Sequence, residues 1–533
     1  MIVADSPARS KTAGFKGAYH TGNICPYCPK HTDNFGTQEP WEDEPIESTL
    51  ALASAPSALL VNTTYDGLPY FDRRRDSPPD PMHAAHIGIC QRFWHKVLID
   101  SCKDIRNQLE QAQHVIRFAF IPSSIKRPDG RIGDRGGGMP TAEQWVTLFR
   151  CLLPFIMLEL WSHSLVKNGT QTLDFQPSES KGKYTQTRPI DRGEKSVKDI
   201  FDMGMLTCCI AGMLEGDFDE DDINTLRSYI TRLNVKIKDT LGSGWVIFNN
   251  HITEHIPDAI REHGAPRNFS CLPFERYNGI LGRINTSGHK GGQLELSMMR
   301  RTVHRLELRQ LVAQSNDTFF RETLLGYIKS RSENAQPTPP TKLKRKELDS
   351  ETYLLLLEHL NGPGKSFSGR FVVPHDALAP LRDVRVGKDA TLFRTFIQDA
   401  CPSEVRVSGY AAKGRKNSGN TFAMVKLPAE SVVPVLILWI FEKKVQIHGP
   451  GTVAEAERYL HVLMLNEVTV EEAFGGEMPS KELLVKMKIR FARKDRVGKH
   501  MVLPLRMMIS QLVIVSINTC NPRCPTVYGL KVL

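Results

Sequence analysis

Long hydrophobic runs are scarce in this chain of 533 residues. The longest, VVPVLILWIF at residues 432–441, is about half the length of a membrane-spanning helix and contains Pro434. The first residues, MIVADSPARSKTAGF, include no continuous apolar stretch long enough for a secretory signal. We therefore expect a soluble protein inside the cell that has no membrane partner.

The chain has too few cysteines for a disulfide scaffold and fewer acidic than basic residues. Eleven cysteines in so long a chain, without a secretory signal, indicate reduced thiols or metal ligands rather than a disulfide scaffold. Lysine and arginine number 69 against 59 aspartates and glutamates, which gives a net charge of +10. That excess suits a polyanionic partner such as nucleic acid, although many unrelated proteins carry a similar one.

Apolar periodicity predicts a mostly helical middle of the chain. From about residue 83 to 165, apolar residues recur at helical spacing on both sides of a glycine-rich break, and Thr141 is placed to cap the second helix. Further helices are predicted at 196–215, at 219–240, around 254–263 and at 293–314. Residues 351–533 alternate short helical and strand-like runs, which predicts a small α+β or β-rich domain.

Two cysteines near the N-terminus, Cys25 and Cys28, have the C-x-x-C spacing of a metal-binding knuckle. A loop this short points both sulfurs to the same side, so two thiolates could chelate one zinc ion. A lone C-x-x-C is as typical of a redox pair or of two unrelated cysteines. His31 lies close enough along the chain to compete as a ligand.

Zinc needs two further ligands, which His251 and His255 would offer. They lie four residues apart and share one face if the segment is helical. The pattern is not the HExxH motif of metalloproteases, because Glu254 directly precedes the second histidine. Each histidine alone could equally be an ordinary helix residue, but the two pairs together favour a Cys₂His₂ structural site.

Two carboxylates, Asp5 and Glu275, occupy apolar stretches. A carboxylate in apolar surroundings is costly unless it is paired, hydrogen-bonded or bound to a cation. RNase H-like nucleases and transposases use such side chains to hold two Mg²⁺ ions. The alternatives are a salt bridge from Glu275 to Arg276 or Arg283 and, for Asp5, a cap on residues 6–8.

Five separated motifs occur in one order along residues 1–310. They are Asp5 in ADSPARSKTAGFKG, the cysteine pair, DPMHAAHIGI at 80–89, the histidine pair, and LPFERYNGILGRINTSGHKGGQLELSMMR at 272–300. PTAEQW at 140–145 is a further match. In this order the motifs closely resemble the CACTA/En-Spm class of DDE transposases, and in particular the copies that are abundant in fungal genomes.

The resemblance implies a fold of class α/β plus α, in which a partial RNase H-like core is interrupted by a large, mostly helical insertion. Asp5 matches the family's second catalytic Asp and Glu275 its catalytic Glu, and both would hold Mg²⁺ or Mn²⁺. The cysteine and histidine pairs lie between them, as in the related V(D)J recombinase catalytic subunit, where similar residues bind structural zinc. The implied partners are transposon ends and target DNA, with a homo-oligomer and a nuclear location. In a complete form, water activated by Mg²⁺ would nick DNA and the freed 3′-OH would attack the target.

The order of motifs also suggests domain boundaries. We expect the partial core with the cysteine pair at 1–82, the helical insertion at 83–248, and the histidine pair, Glu275 and a closing helix at 249–330. A linker follows at 331–350, and an accessory domain at 351–533. Basic residues at 342–346 would form a nuclear-import or phosphate-binding patch, or simply a solvated linker. Asp80 and His83 match a family phrase of unassigned role and could simply start the helical insertion.

The sequence departs from the family at one point. The family's first catalytic Asp belongs on a strand upstream of Asp5, and only four residues precede Asp5 here. Two-metal phosphoryl transfer needs carboxylates that bridge both ions, so we expect this polypeptide to be N-terminally truncated and catalytically incomplete. The alternatives are a non-catalytic, zinc-stabilised DNA-binding or interaction protein, a zinc hydrolase that uses His251 and His255, and a decayed reading frame.

Overall fold

The computed structural model describes the chain in segments. These are residues 25–28, 69–72, 74–134, 136–166, 171–175, 193–282, 284, 293–314, 344–360, 383–387, 389–394, 403–408, 420–427, 431–444, 456–519 and 521–533. They fall into two compact units, one formed by Met1–Ser270 and Leu343–Leu533 and the other by Cys271–Lys342. Most of residues 1–82, where the partial RNase H-like core was expected, lies outside the described residues, so that core stays a prediction.

Helices dominate the N-terminal part of the first unit, as the apolar periodicity predicts. They are α1 (Met82–Cys90), α2 (Phe93–Ser101), α3 (Lys103–Asn107), α4 (Leu109–Phe118), α5 (Ala142–Val166), α6 (Val197–Met213), α7 (Glu220–Leu241), α8 (Phe248–Thr253) and α9 (Ile256–His263). A short antiparallel hairpin, β1 (Thr172–Phe175) and β2 (Gly193–Ser196), lies between α5 and α6. The helices predicted at 196–215, at 219–240 and around 254–263 are confirmed as α6, α7 and α9.

Helix α5 is the central core helix of this part. By length and composition it could cross a membrane, but 78% of its apolar window is buried inside the protein. It packs against α6 so closely that a Cβ atom added at Gly204 would collide with Met157. Its start is the predicted one, because Thr141 precedes the first turn and its N–H donates to the side chain of Gln144 over 2.9 Å.

The second unit is described over two helices, α10 (Leu272–Leu281) and α11 (Gln293–Gln314). Helix α11 has the bounds that the sequence predicts. Several of its apolar side chains are exposed, namely Leu296, Met299, Val303, Leu306, Leu308 and Leu311.

The C-terminal part of the first unit is rich in strands. Its elements are β3 (Lys344–Glu347), α12 (Ser350–Leu360), β4 (Asp383–Gly387), β5 (Asp389–Arg394), β6 (Ser403–Ser408), β7 (Phe422–Lys426), β8 (Val432–Lys444), β9 (Ala456–Val468), α13 (Val470–Phe474), α14 (Lys481–Lys486), β10 (Ile489–Pro504), β11 (Met508–Asn518) and β12 (Thr526–Val532). The chain as a whole therefore combines helices with an antiparallel sheet. Residues 344–347 of the expected linker form the edge strand β3, which pairs with β4.

Six of these strands close into a ring. The antiparallel pairings run from β7 to β8, β9, β10, β12 and β11, and β11 pairs back to β7. Closure removes the unpaired sheet edges that would otherwise invite aggregation. Strand β8 carries the longest apolar run of the sequence, and it pairs on both edges, for example Val435 with Ala423 and with Met464.

Some strand residues share a hydrophobic core with the helices, while others form buried clusters of their own. Phe491, Val513, Val515 and Val527 belong to the same buried cluster as the apolar side chains of α5 and α6. A Cβ atom at Gly529 would collide with Phe155, so β12 lies directly against α5. The residues that the sequence assigned to a separate accessory domain thus bury part of their apolar surface against the helical part.

Candidate metal centre

Tyr27, one of the two residues between Cys25 and Cys28, holds the cysteine pair in place. Cys25 and Cys28 are buried, with 1% and 5% of their surface exposed. The Tyr27 hydroxyl donates to the backbone carbonyl of Ser77 over 2.5 Å, and the Tyr27 ring lies 5.1 Å from the His255 ring. The Tyr27 N–H points at the Cys25 sulfur from 3.4 Å. The loop is therefore pinned with both sulfurs turned into the protein.

The histidine pair lies where one short helix ends and the next begins. His251 belongs to α8, and His255 immediately precedes α9. Both rings are buried, their centroids are 5.0 Å apart, and their planes are nearly perpendicular at 88°. The spacing of four residues thus brings the two Nε2 atoms to 3.4 Å from each other.

The cysteines and histidines converge into one cluster, as the sequence predicts. Cys25 Sγ lies 3.4 Å from His255 Nε2, and Cys28 Sγ lies 3.2 Å from His251 Nε2. The four donor atoms all lie within 4.8 Å of one another, close enough to hold a metal ion. A tetrahedral metal ion bound by all four of these donors would have no open position for a substrate or a water molecule, which speaks against a hydrolase site.

A polar chain behind His251 fixes the orientation of its ring. His251 Nδ1 lies 3.1 Å from the Glu254 carboxylate, whose other oxygen accepts a hydrogen bond of 2.7 Å from the Asn234 amide. Asn234 in turn accepts from Asn250 over 3.2 Å. When Nδ1–H donates to a carboxylate, the lone pair lies on Nε2, the atom that faces the cysteines. Sequence reasoning used Glu254 only to exclude a protease motif and missed this role.

The surroundings of the cluster shift the pKa values of its two thiols in opposite directions. Burial raises the pKa of the Cys25 thiol well above its usual value. A hydrogen bond from Cys25, together with contacts to His251 and His255, lowers the pKa of Cys28. Burial alone would lower the pKa of His251, but Cys28 and Glu254 outweigh it and raise that pKa. Of the two thiols, Cys28 is therefore the one that ionises more readily.

The two acidic site residues fare differently. Asp5 lies outside the described residues, as does His31. Glu275 lies in the first turn of α10, where its N–H donates to the Cys271 carbonyl over 3.0 Å. Its side chain is exposed, next to the exposed Phe274. The sequence argued for a bound cation because Glu275 occupies an apolar stretch. Within its own unit, however, the Glu275 side chain is not buried.

Asp80 and His83 belong to the start of helix α1. The Asp80 carboxylate accepts the N–H groups of Met82 and His83 at 3.2 and 3.1 Å, and it also contacts His83 Nδ1. Asp80 is buried, with 4% of its surface exposed, so these donors offset the cost of burying its charge. The reading of this phrase as the start of the helical part is therefore the one that the geometry favours.

Comparison with known proteins leaves the site to be judged on its own geometry. No protein-family model matches the chain, and no curated protein or solved structure matches it either.

Proposed function

We propose that the chain is a DNA-binding protein related to the transposases of cut-and-paste DNA transposons, with a helical body organised by structural zinc. One observation carries the proposal. Cys25 and Cys28 meet His251 and His255, more than 220 positions further along the chain, in one buried cluster. This is the grouping that the order of the five motifs implies, and two short pairs so far apart would rarely meet by chance.

The distances support zinc as the ion. Zn–S and Zn–N bonds of about 2.3 and 2.05 Å in a tetrahedral site place sulfur about 3.6 Å from nitrogen and the two nitrogens about 3.3 Å apart. The corresponding distances are 3.2 and 3.4 Å for sulfur to nitrogen and 3.4 Å between the nitrogens. Thiolate and imidazole donors select zinc over Mg²⁺ or Ca²⁺, which prefer oxygen.

Zinc at this site would act on the fold. It would tie residues 25–28 to the junction between α8 and α9, and Glu254 would orient one of its ligands. The free energy of metal binding becomes free energy of folding when the unfolded chain has no preformed site. All four donors come from the protein, which is the arrangement of a structural centre rather than of a catalytic one.

The DNA part of the proposal rests on the family resemblance and on charge. A net charge of +10 favours a polyanion, and binding through phosphates predicts an affinity that falls steeply with salt. In the DDE activity of such transposases, Asp5 and Glu275 would hold Mg²⁺ or Mn²⁺ beside the DNA strand that is cleaved. A nuclear location and self-association belong to the same proposal.

The test combines binding and cleavage on the zinc-loaded full chain. We expect labelled duplex DNA to bind with strong salt dependence. If the DDE activity is present, supercoiled plasmid is nicked with Mg²⁺ or Mn²⁺, and Glu275→Gln abolishes nicking. The matched control, Glu295→Gln, neutralises an exposed glutamate on α11 and should nick like wild type. Absence of salt-dependent DNA binding would overturn the proposal.

A second candidate is a non-catalytic, zinc-stabilised DNA-binding or interaction protein derived from a transposase. The observation that favours it is the exposure of Glu275, which, among the described residues of its own unit, joins no cluster of three or more metal-binding side chains. This candidate predicts the same salt-dependent binding without nicking at any divalent metal concentration. Glu275→Gln would then leave every readout unchanged.

A further inference from the structure

A cavity of about 270 Å³ lies in the first unit, away from the cysteine–histidine cluster. Its wall comes from four helices, a strand and the adjoining loops. The charged residues that line it are Arg150 on α5, Asp217, Asp222 on α7, Lys486 at the end of α14, Lys488, and Lys531 on β12. Four cations thus converge from three separate parts of the chain, where no local sequence pattern would reveal them.

The acids in and near the wall each have a basic partner within ion-pair distance. Asp222 pairs with Lys486 at 3.0 Å, and Asp217 pairs with Arg267 at 2.5 Å. Glu215 pairs with His86 at 3.2 Å; burial acts to raise the pKa of Glu215, but this contact and then the charge of Arg150 lower it. Among the described residues, no carboxylate lies within ion-pair distance of Arg150, Lys488 or Lys531. Among these residues, the three cations therefore lack a direct ion pair, and Glu215 offsets the charge of Arg150 only from a distance.

Lys531 is the most unusual of the three. Only 6% of its surface is exposed, and its ammonium group donates to the backbone carbonyl of Met487. Burial, followed by the positive charges of Arg150 and Lys488, lowers the pKa of Lys531 to about 8. A buried ammonium group without a counter-ion costs free energy, and a protein keeps one at such a cost most often at a functional site.

Lys488 occupies a backbone position at which glycine is the usual residue. Its backbone has φ of 54°, just past the end of α14, and its N–H donates to the Val485 carbonyl over 2.9 Å. Glycine is the usual residue at this place in a helix C-cap, because a Cβ atom disfavours the left-handed conformation. A lysine there, lining the cavity, points to a use for its side chain.

We propose that this cavity binds the phosphoryl group of a small phosphorylated ligand. A phosphoryl group with a charge of about −1.5 to −2 matches three cations that lack a direct ion pair better than a carboxylate does. Apolar side chains of the wall, such as Met213, Phe218 and Met487, would contact the organic part of the ligand. A cavity of about 270 Å³ lined by Lys531 has room for the terminal phosphoryl group of a small ligand but not for the backbone of a DNA duplex. This site is independent of the proposed DNA activity.

Titration calorimetry of the zinc-loaded full chain with inorganic pyrophosphate tests the proposal. We expect saturable binding in the micromolar to millimolar range that Lys531→Met and Arg150→Gln each weaken about tenfold or more. Lys103→Met, which removes an exposed lysine on α3, is the matched control and should bind like wild type. Because Lys531 is buried, its variant could fail to fold. Lys488→Gly covers that case, since it relieves the backbone and should weaken binding several-fold without lowering the melting temperature.

Three results would overturn the proposal. The first is no saturable heat with wild type at millimolar pyrophosphate. The second is unchanged affinity in Lys488→Gly and Arg150→Gln. The third is displacement of pyrophosphate by a blunt DNA duplex without terminal phosphates, which would assign the cations to nucleic acid instead of a small ligand.

Discussion

His251 Nδ1 lies 3.1 Å from the carboxylate of Glu254, three residues further along the chain. This pair sets which nitrogen of the imidazole faces the cysteines, and Asn234 holds the carboxylate from the other side. The candidate metal centre therefore includes, besides its four ligands, the residues that orient His251. Its outer partner comes from the same turn of chain as the histidines, so it is positioned as soon as α8 and α9 form.

Glu254→Ala should weaken zinc binding by about 10- to 100-fold, because the ring of His251 would lose its orienting partner. Glu254→Gln keeps an oxygen acceptor and loses the charge, so its affinity should lie between those of the alanine variant and wild type. Competition with a chromophoric chelator measures both. Equal affinity of all three proteins would show that the carboxylate does not support the site.

Zinc binding should release about one proton from the cysteine pair rather than two. The raised pKa of Cys25 keeps that thiol protonated without metal, while the lowered pKa of Cys28 already leaves a thiolate. Zinc needs both as thiolates. Below the pKa of Cys25, zinc affinity should therefore fall about tenfold for each unit of decreasing pH, because the Cys25 proton must leave on binding. Calorimetry at pH 8 to 9 in buffers of different ionisation enthalpy counts the protons. We expect a count near one at both pH 8 and pH 9, whereas two ordinary thiols with pKa values of about 8.5 would give a count that falls from about 1.5 to about 0.5 and would contradict the division between the thiols.

The stability of the wild type relative to Lys531→Met should rise between about pH 8 and 10.4. The pKa of Lys531 is about 8 in the folded chain and about 10.4 when unfolded, so in this window the unfolded state binds more protons and folding strengthens as pH increases. The size is on the order of 3 kcal/mol at most. Denaturant titrations of both proteins at pH 7, 8, 9 and 10 test it. A constant difference between them would argue against a buried ammonium group.

Local features of the fold were accessible from sequence. Helices α6, α7 and α11 follow their predicted bounds within a few residues, because apolar periodicity and polar starts such as Asp219, which accepts the N–H of Asp222 over 2.8 Å, are properties of neighbouring residues. The ring of strands was not accessible. Its closure depends on β11 pairing with β7, and which of several strand-like runs pair is decided by packing far along the chain.

The candidate site divides in the same way. Cys25 with Cys28 and His251 with His255 are recognisable as pairs in the sequence. Their ligand types together favour one Cys₂His₂ site, and the order of motifs implies the same grouping. The sequence signal for the orienting role of Glu254 is its position three residues after His251, and that signal becomes meaningful only once the structure shows the contact. The cavity with Lys531 gave none, because its cations lie on elements that meet only in the folded chain.

The ligand role of each pair can be separated from general destabilisation. Cys25→Ser should lose zinc and unfold at a lower temperature, because the ion no longer ties residues 25–28 to the α8–α9 junction. Cys90→Ser makes the same exchange at a cysteine that is also buried, with 2% of its surface exposed, but lies outside the cluster. It should lose some stability and keep its zinc. Full zinc content in Cys25→Ser would place the ion elsewhere.

X-ray absorption at the zinc edge of the purified full chain tests the central claim most directly. We expect one zinc ion per chain with two sulfur neighbours at about 2.3 Å and two nitrogen neighbours at about 2.0–2.1 Å, and a lower melting temperature when a chelator removes the ion. A shell of oxygen ligands, or a chain that contains no zinc and melts identically with and without chelator, would contradict a structural zinc centre at Cys25, Cys28, His251 and His255.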